Sequence, residues 1–372
     1  MRRTTSQAAE RVIAAAAAAG AVVTARQLER WRQDGWIDAP ARRHLGRRGS
    51  SADYPPETVA QVVALASAAR RRHPMHRAIL DLFAEGRPVG EGALHQAYDD
   101  LLTGLARGIQ SEAEREGVKP AVGAAPDPFD VAEAVSPKLA SYARRTRTGR
   151  SWSARVPKGA ASPSEVLESV FTNLALVLLT GEGSSVDGLD EMLQIGGVSP
   201  SDDAAPHPVG LDRVLKGLTL ERLSERARGA SLDDLVRARH EWRLLVDHSV
   251  LLVSVRARIG GLEGFPGAPA VAEMHPDTTT VAGGAVGMLL LREELRERLD
   301  AALDDRRQSL PSLRAIAILL DDLPREAHPF MESGGLARLM LEPDERRERI
   351  LTAVRSAVAR HPEEAAVVRA LP

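Results

Sequence analysis

Helix-forming patterns extend over most of this 372-residue sequence, and they constrain the possible folds more than any other feature. Two segments, at 162–165 and 231–234, combine Ser with acidic residues in the way typical of helix starts. The sequence contains neither a convincing alternating strand nor an internal repeat. Aromatic residues make up only 3%, so the core must be built from Ala, Leu and Val. We therefore predict a mainly α protein.

The predicted helices form an N-terminal group and a longer C-terminal group. The first group covers residues 6–19, 25–34, 55–72, 75–85 and 91–117. The second group covers residues 163–180, 186–195, 211–228, 231–259, 278–306, 310–322, 334–341 and 343–360. Stretches rich in Gly, Pro, Ser and Asp predict loops at 182–188, 196–212 and 260–277.

Charge is distributed unequally along the chain. The total of 49 Lys and Arg against 51 Asp and Glu gives a net charge of −2, which excludes a uniformly basic nucleic-acid coat. Residues 1–77 carry 14 Arg and 6 acidic residues, a net of +8, whereas residues 151–372 have a net of −8. This asymmetry suggests that only the N-terminal part meets a polyanion, with an ordinary arginine-rich surface as the alternative.

The absence of cysteine limits the chemistry and the compartment. It excludes a disulfide framework, a thiolate zinc site and a Cys nucleophile, and it favours a reducing, cytoplasmic location. No uncharged apolar run reaches about 18 residues, so we expect no membrane-spanning helix. The apolar run at 12–23 follows Arg2 and Arg3, which leaves a secretion signal as an alternative. We favour a buried Ala-rich helix because Glu10 and Arg11 interrupt the approach to the run.

A short amphipathic helix is predicted at residues 25–34. Thr24 is placed to cap its start and Gly35 to end it. Leu28 and Trp31 share one face, and we expect Trp31 to lie in the core. The residues placed off this apolar face are Arg26, Gln27 and Arg30.

The segment that follows this helix is basic and rich in turn-forming residues. Gly46, Gly49 and two serines within residues 40–54 predict a flexible loop or a hairpin. Its basic residues are Arg42, Arg43, His44, Arg47 and Arg48. A helix then opens at Pro55 and is closed by three arginines at 70–72. Its predicted apolar stripe consists of Val59, Val62, Val63 and Ala66.

The segment at 23–37 resembles the DNA-reading helix of the MerR family. The residues in register with the family pattern are Val23, Thr24, Arg26, Leu28, Trp31, Gly35, Trp36 and Ile37. The family's basic wing and its next helix are matched in order by Pro40, Arg42, Arg43, Tyr54 and the helix from Pro55. The resemblance covers about residues 8–72, roughly a fifth of the chain. Val22 stands where the family has a turn glycine, and Arg30 stands at its second aromatic position.

This resemblance implies an N-terminal winged helix-turn-helix that binds double-stranded DNA. Arg26, Gln27 and Arg30 offer hydrogen-bond donors to base edges and phosphate. The basic wing would supply salt-dependent contacts to the DNA backbone. The predicted DNA-binding residues are Thr24, Arg26, Gln27, Arg30, Arg42, Arg43, Arg47, Arg48 and Tyr54. The alternative is a small helical domain with a solvated basic face.

We predict four segments along the chain. They are a winged helix-turn-helix at 1–72, a helical extension at 73–118, a basic linker containing Pro and Gly at 119–163, and an all-α sensing or dimerisation domain at 164–372. Residues 134–164 contain no acid and carry seven basic residues, with Tyr142 and Trp152 between them. This stretch could instead be an arm that contacts phosphate or bases.

The sequence offers little support for catalysis or metal binding. His240 and His248 lie eight apart in one predicted helix, which is not the spacing of paired metal ligands, so we expect no metal site. The small residues at 281–285 favour close helix packing, with the approach of a ligand as the alternative. No arrangement of Ser, His and Asp can be defended, so we expect neither an enzyme nor a cofactor.

The predicted function is a bacterial transcriptional regulator. Only four lysines stand against 45 arginines, a bias typical of a GC-rich bacterial genome. The helical C-terminal part would bind a small-molecule or protein effector, or dimerise. We expect a homodimer held by residues after 160, because one head makes few DNA contacts. The alternatives are an architectural or excisionase-type DNA-binding protein of a mobile element, a protein–protein interaction module, and an unrecognised enzyme in the helical body.

Overall fold

A computed structural model describes residues 6–44, 50–119, 126–145, 163–181, 217–259, 278–330 and 339–370. The described residues are mainly helical, as predicted. The chain divides into two compact units, each assembled from three segments. Unit 1 consists of Met1–Glu114, Gly217–Trp242 and Pro276–Glu293. Unit 2 consists of Arg115–Lys216, Arg243–His275 and Glu294–Pro372.

The elements follow one another in a simple order. The first are α1 (Gln7–Ala18), α2 (Ala25–Gln33), β1 (Ala41–His44), β2 (Ser50–Asp53), α3 (Thr58–Arg71), α4 (Met75–Ala84) and α5 (Glu91–Arg115). The later ones are α6 (Pro128–Arg145), α7 (Pro163–Thr180), α8 (Leu220–Gly229), α9 (Leu232–Ile259), α10 (Thr278–Asp321), a 3-10 helix (Arg325–Phe330), α11 (Asp344–Arg360) and α12 (Pro362–Arg369).

The first three helices of unit 1 pack around a small apolar core, and β1 and β2 form an antiparallel hairpin between α2 and α3. Of the two structures predicted for residues 40–54, a loop or a hairpin, the structure contains the hairpin. Trp31 is buried, as expected. Gly35 has a φ of +79° and follows Asp34, the C-cap of α2, which confirms it as the stop signal of that helix.

The buried face of α3 differs from the predicted stripe. The buried residues of α3 are Thr58, Gln61, Val62, Leu65 and Ala68. Val59, Val63 and Ala66 were predicted to face the core, but they are only half-buried. The helix begins at Thr58, and its buried positions recur every three or four residues from there. Because this face includes two polar residues, an apolar pattern alone does not identify it.

The rest of unit 1 is held together by contacts between residues far apart in the sequence. The hydroxyl of Tyr98 in α5 donates a hydrogen bond to the carbonyl of Ala282 in α10 at 2.9 Å. Arg239 of α9 is buried, and its Nη1 donates to the carbonyl of Phe83 in α4 at 2.6 Å. Its guanidinium also lies over the Phe83 ring, 5.0 Å from the centroid. Parts of α9 and α10 therefore complete the packing of α4 and α5.

Unit 2 contains a helix where the sequence predicted a linker. Residues 128–145 form α6, which packs on α7, so the predicted linker at 119–163 is wrong over this helix. The buried residues of α6 include Val131, Ala132, Val135 and Ala140. The apolar face of α6 was not recognised from the sequence because basic residues lie among its positions and because Pro137 lies within the helix.

A second core in unit 2 gathers residues from α9 to α11. It consists of Val255, Leu320, Leu323, Ala327, Leu339, Ile350 and Ala357. α10 joins the two helices predicted at 278–306 and 310–322. Its irregular backbone lies at Leu295, with φ −132° and ψ 30°, whereas the sequence had placed the break near residue 308.

The predicted domains are contiguous, but the units of the structure are not. The predicted boundaries give contiguous domains, whereas residues 217–242 and 276–293 belong to unit 1 with the N-terminal helices. Several predicted segments lie outside the described residues. They are the helix at 186–195, most of the helix at 334–341, the start of the helix at 211–228 and the basic stretch at 146–162. In the described part of the chain, no helix combines the length and apolarity needed to cross a membrane.

Candidate nucleic-acid-binding surface

The start of α2 is fixed by a reciprocal pair of hydrogen bonds. The backbone N–H of Gln27 donates to Oγ1 of Thr24 at 3.2 Å, and the backbone N–H of Thr24 donates to Oε1 of Gln27 at 2.9 Å. The Thr24 hydroxyl also donates to Oε1 of Gln27 at 2.9 Å. This capping box satisfies backbone donors that a helix start otherwise leaves unpaired, and it confirms Thr24 as the N-cap.

The capping box also limits what Gln27 can contact. A glutamine that reads adenine uses its amide oxygen and its amide nitrogen together. In this structure the amide oxygen of Gln27 is engaged at the helix start. The structure therefore gives Gln27 a positioning role at the start of α2, and its predicted base-reading role would require its amide oxygen to leave the capping box.

The two sides of α2 differ sharply in character. Leu28 and Trp31 are each 1% exposed and bury one side of the helix. Arg26 and Arg30 are exposed, and because they are four residues apart they share the other side. Among the described residues, neither of these arginines forms an ion pair. The helix thus presents two exposed cations on one face.

The acidic residue of α2 is neutralised at the edge of that face. Glu29 accepts hydrogen bonds from Nε of Arg32 at 2.9 Å, from Nη2 of Arg32 at 2.6 Å and from Nε2 of Gln33 at 3.0 Å. The hydrogen bond to Glu29 and its negative charge raise the pKa of the Arg32 guanidinium. Glu29 is therefore paired with a cation of the same helix.

Tyr54 follows the hairpin and lies near the same edge of α2. Its side chain is half-buried. Burial raises the pKa of the Tyr54 hydroxyl, while the positive charge of Arg32 acts in the opposite direction and the negative charge of Glu29 raises the pKa further. The hydroxyl therefore stays protonated at neutral pH and remains a hydrogen-bond donor.

The hairpin carries the other predicted site residues. Arg42 and Arg43 occupy neighbouring positions of β1 and pair with Ala52 and Ser51 of β2. The remaining two predicted wing residues, Arg47 and Arg48, lie outside the described residues.

One further arginine connects the hairpin to α1. Arg11 forms an ion pair with Asp53, and its Nη2 donates to the carbonyl of Ala52 at 3.3 Å. This role of Arg11 was not predicted from the sequence. Arg11 lies 42 residues from Asp53, and a surface arginine on a helix carries no local signal of such a contact.

The other candidate sites have structural contacts of their own. His248 places Nε2 3.0 Å from Oγ of Ser309 in unit 2, whereas His240 lies against Arg239 in unit 1. The described residues contain no group of three side chains that could hold a metal ion. Gly284, in the small-residue stretch, lies directly against the indole ring of Trp242, which confirms close helix packing there.

No protein-family model matches this chain, and no match was found among curated proteins or solved structures.

Proposed function

We propose that this protein is a bacterial DNA-binding transcriptional regulator in which α1, α2, the hairpin and α3 act as a winged helix-turn-helix of the MerR type. The observation that carries the proposal is the pair Arg26 and Arg30, exposed on one face of a capped helix. The net charge of +8 over residues 1–77 supports the same assignment.

In this proposal α2 lies in the major groove with its arginine face toward the bases. An arginine can donate two hydrogen bonds to O6 and N7 of guanine. Residues four apart on a helix are separated by about 6 Å along the axis. Base pairs are stacked about 3.4 Å apart. Arg26 and Arg30 would therefore reach base pairs about two steps apart where the helix follows the groove.

The remaining candidate residues would hold the DNA backbone. Arg42, Arg43, Arg47 and Arg48 would make salt-dependent contacts with phosphates from the hairpin. The Tyr54 hydroxyl would donate to a phosphate at the edge of α2. The Thr24 hydroxyl would do the same by exchanging its hydrogen bond to Oε1 of Gln27 for one to a phosphate oxygen. Gln27 keeps α2 in position through the capping box.

The C-terminal part of the chain would pair two copies and respond to an effector. One head makes few contacts, and DNA-binding dimers place their heads on half-sites about 34 Å apart. The net charge of −8 over residues 151–372 disfavours its own contact with DNA. The effector would be a small molecule or a protein. The protein would be located in the bacterial cytoplasm.

The test begins with the full chain and genomic DNA. Fragments bound by the purified protein are selected and sequenced, and one selected duplex is then titrated against a scrambled duplex of equal length. Arg30→Ala is expected to weaken binding to the selected duplex about 5- to 150-fold and to relax its sequence preference.

Arg107→Ala is the matched control. Arg107 is an exposed arginine of α5 in the same unit, and this substitution should leave binding unchanged. The proposal is wrong if the wild-type chain binds the selected and scrambled duplexes alike at moderate salt. It is also wrong if Arg26→Ala and Arg30→Ala both bind like the wild type.

A further inference from the structure

Val22 is the most exposed large hydrophobic residue among those that the structure describes, at 89%. It lies in the short connection between α1 and α2. Its two neighbours have the opposite environment, since Ala21 is 8% exposed and Val23 is 6% exposed. The connection therefore buries the residues on each side of Val22 and directs this one apolar side chain into solvent.

The backbone on both sides holds Val22 in this position. Gly20 adopts a φ of +81°, and the N–H of Ala21 donates to the carbonyl of Ala16 at 2.9 Å, which closes the end of α1. On the other side, Thr24 is fixed by its capping box. The exposure of Val22 is thus a consequence of how the two helices are joined.

Val22 comes shortly before α2 in the chain, two residues from its N-cap Thr24. Thr24 has extended backbone angles, φ −92° and ψ 154°, and alternate residues of an extended segment lie on the same side. Val22 and Thr24 are both exposed, and Arg26 follows in the first turn of the helix. A branched apolar group is therefore exposed two residues before the N-cap of the helix that carries Arg26 and Arg30.

We propose that Val22 determines specificity by packing against the 5-methyl group of a thymine beside the base pairs that Arg26 and Arg30 contact. This inference rests on the proposed function. The thymine methyl is the apolar group that base edges present in the major groove, and the N-terminal end of a recognition helix is the part that contacts base edges. Phosphate oxygens accept hydrogen bonds, and the valine side chain has no donor to offer them.

The size of the effect follows from the apolar surface that is removed from water. Losing a contact worth about one methylene group corresponds to about a fourfold change in affinity. Val22→Ala should therefore weaken binding to the selected duplex about fourfold and leave the fold intact, because the side chain contributes nothing to the core.

The experiment couples this variant to the removal of single methyl groups from the DNA. Each thymine of one half-site is replaced in turn by deoxyuridine, and the full chain and its Val22→Ala variant are titrated with every duplex. At one position deoxyuridine should weaken the wild-type chain about fourfold while leaving Val22→Ala unaffected. Leu105→Ala, at another exposed apolar residue of unit 1, is the control and should respond to deoxyuridine like the wild type.

The outcomes separate this inference from the proposed function. In one outcome the chain binds DNA specifically, but deoxyuridine weakens the wild type and Val22→Ala equally at every thymine. This result overturns the role of Val22 and leaves the proposed function standing. A selected half-site that contains no thymine likewise overturns the role of Val22 and leaves the proposed function standing. A chain that binds no duplex specifically overturns both, and Val22 would then be a candidate for contact with a protein.

Discussion

At the scale of single residues, Gly283 and Gly284 are neighbours in α10 with different surroundings. A Cβ added to Gly284 would overlap the indole ring of Trp242, whereas one added to Gly283 would meet no atom within 4 Å. Gly284→Ala should lower the free energy of unfolding by about 1–3 kcal/mol because the ring must move. Gly283→Ala should leave it unchanged or raise it by up to about 1 kcal/mol. Urea unfolding of the full chain measures both, and equal effects would show that the two helices do not pack closely here.

Asp38 gives unit 1 a defined dependence on pH. Burial raises the pKa of its carboxyl, and the nearby negative charges of Glu57 and Glu91 raise it further. Folded Asp38 therefore keeps its proton to a higher pH than the unfolded chain does. Its contribution to stability is complete below the unfolded value of about 3.9 and is lost as pH rises through the folded pKa.

The variant Asp38→Asn removes this titration. Relative to the wild type, its free energy of unfolding should increase from pH 3 to pH 7, because only the wild type loses stability as the carboxyl ionises. Urea unfolding at several pH values measures the difference between the two proteins. A difference that is constant across this range would contradict the assignment.

The residues of the candidate site that could be predicted from the sequence are those fixed by local spacing. Thr24 was identified as a cap because of its position before an amphipathic segment, and the arginine face follows from the period of the helix. The engagement of Gln27 in the cap depends on side-chain geometry that spacing does not specify. Arg11 was missed because its partner, Asp53, is distant in the sequence.

At the scale of elements, the ion pair between Arg11 and Asp53 attaches the hairpin to α1. Both side chains are exposed, so the pair should contribute about 0.2–1 kcal/mol. Arg11→Ala should therefore accelerate amide hydrogen exchange in β2 by up to about fivefold. Gln7→Ala, at an exposed position of the same helix, should leave exchange in β2 unchanged.

The charge reversal of this pair provides a second comparison. The double variant Arg11→Asp with Asp53→Arg should exchange its β2 amides more slowly than Arg11→Asp alone, because the attraction is restored. If Arg11→Ala leaves exchange in β2 at the wild-type rate, the contact does not hold the hairpin.

Most helix bounds were predicted closely, including those of α4 and α5, whereas α6, the 3-10 helix and α12 were not predicted. The bounds of α1, α2, α7, α9 and α11 agree closely with the predictions, because each has an apolar stripe and a clear start. α6 was missed because its apolar positions are interspersed with basic residues and include Pro137. The irregular point at Leu295 has no Gly or Pro to mark it in the sequence.

At the scale of the whole molecule, the two units could not be predicted, because each is assembled from distant segments. The hydrogen bond from Tyr98 to Ala282 joins residues 184 positions apart. The periodicity of a helix shows which of its faces is buried, but it does not identify the distant residue that packs there. A fragment that begins at residue 164 would lack α6, against which α7 packs, and would contain pieces of unit 1 without α4 and α5. Experiments on assembly therefore require the full chain.

The proposed homodimer is a property of the full chain. Its monomer has a mass of 40.0 kDa, so sedimentation equilibrium should give about twice this value at micromolar concentration. Exposed apolar residues of unit 2, among them Met340 and Leu341, provide surface that association could bury. A mass that stays at 40.0 kDa at all concentrations would exclude the dimer as the source of the second DNA-binding head.

The central claim is that α2 contacts guanine in the major groove through Arg26 and Arg30. The most direct measurement replaces single guanines of the selected duplex by 7-deazaguanine, which removes the N7 acceptor and preserves base pairing. At one guanine this change should weaken the wild-type chain about tenfold while leaving Arg30→Ala unaffected. If no replacement weakens the wild type, or if Arg30→Ala is weakened equally at every guanine, α2 does not read the major groove in this way.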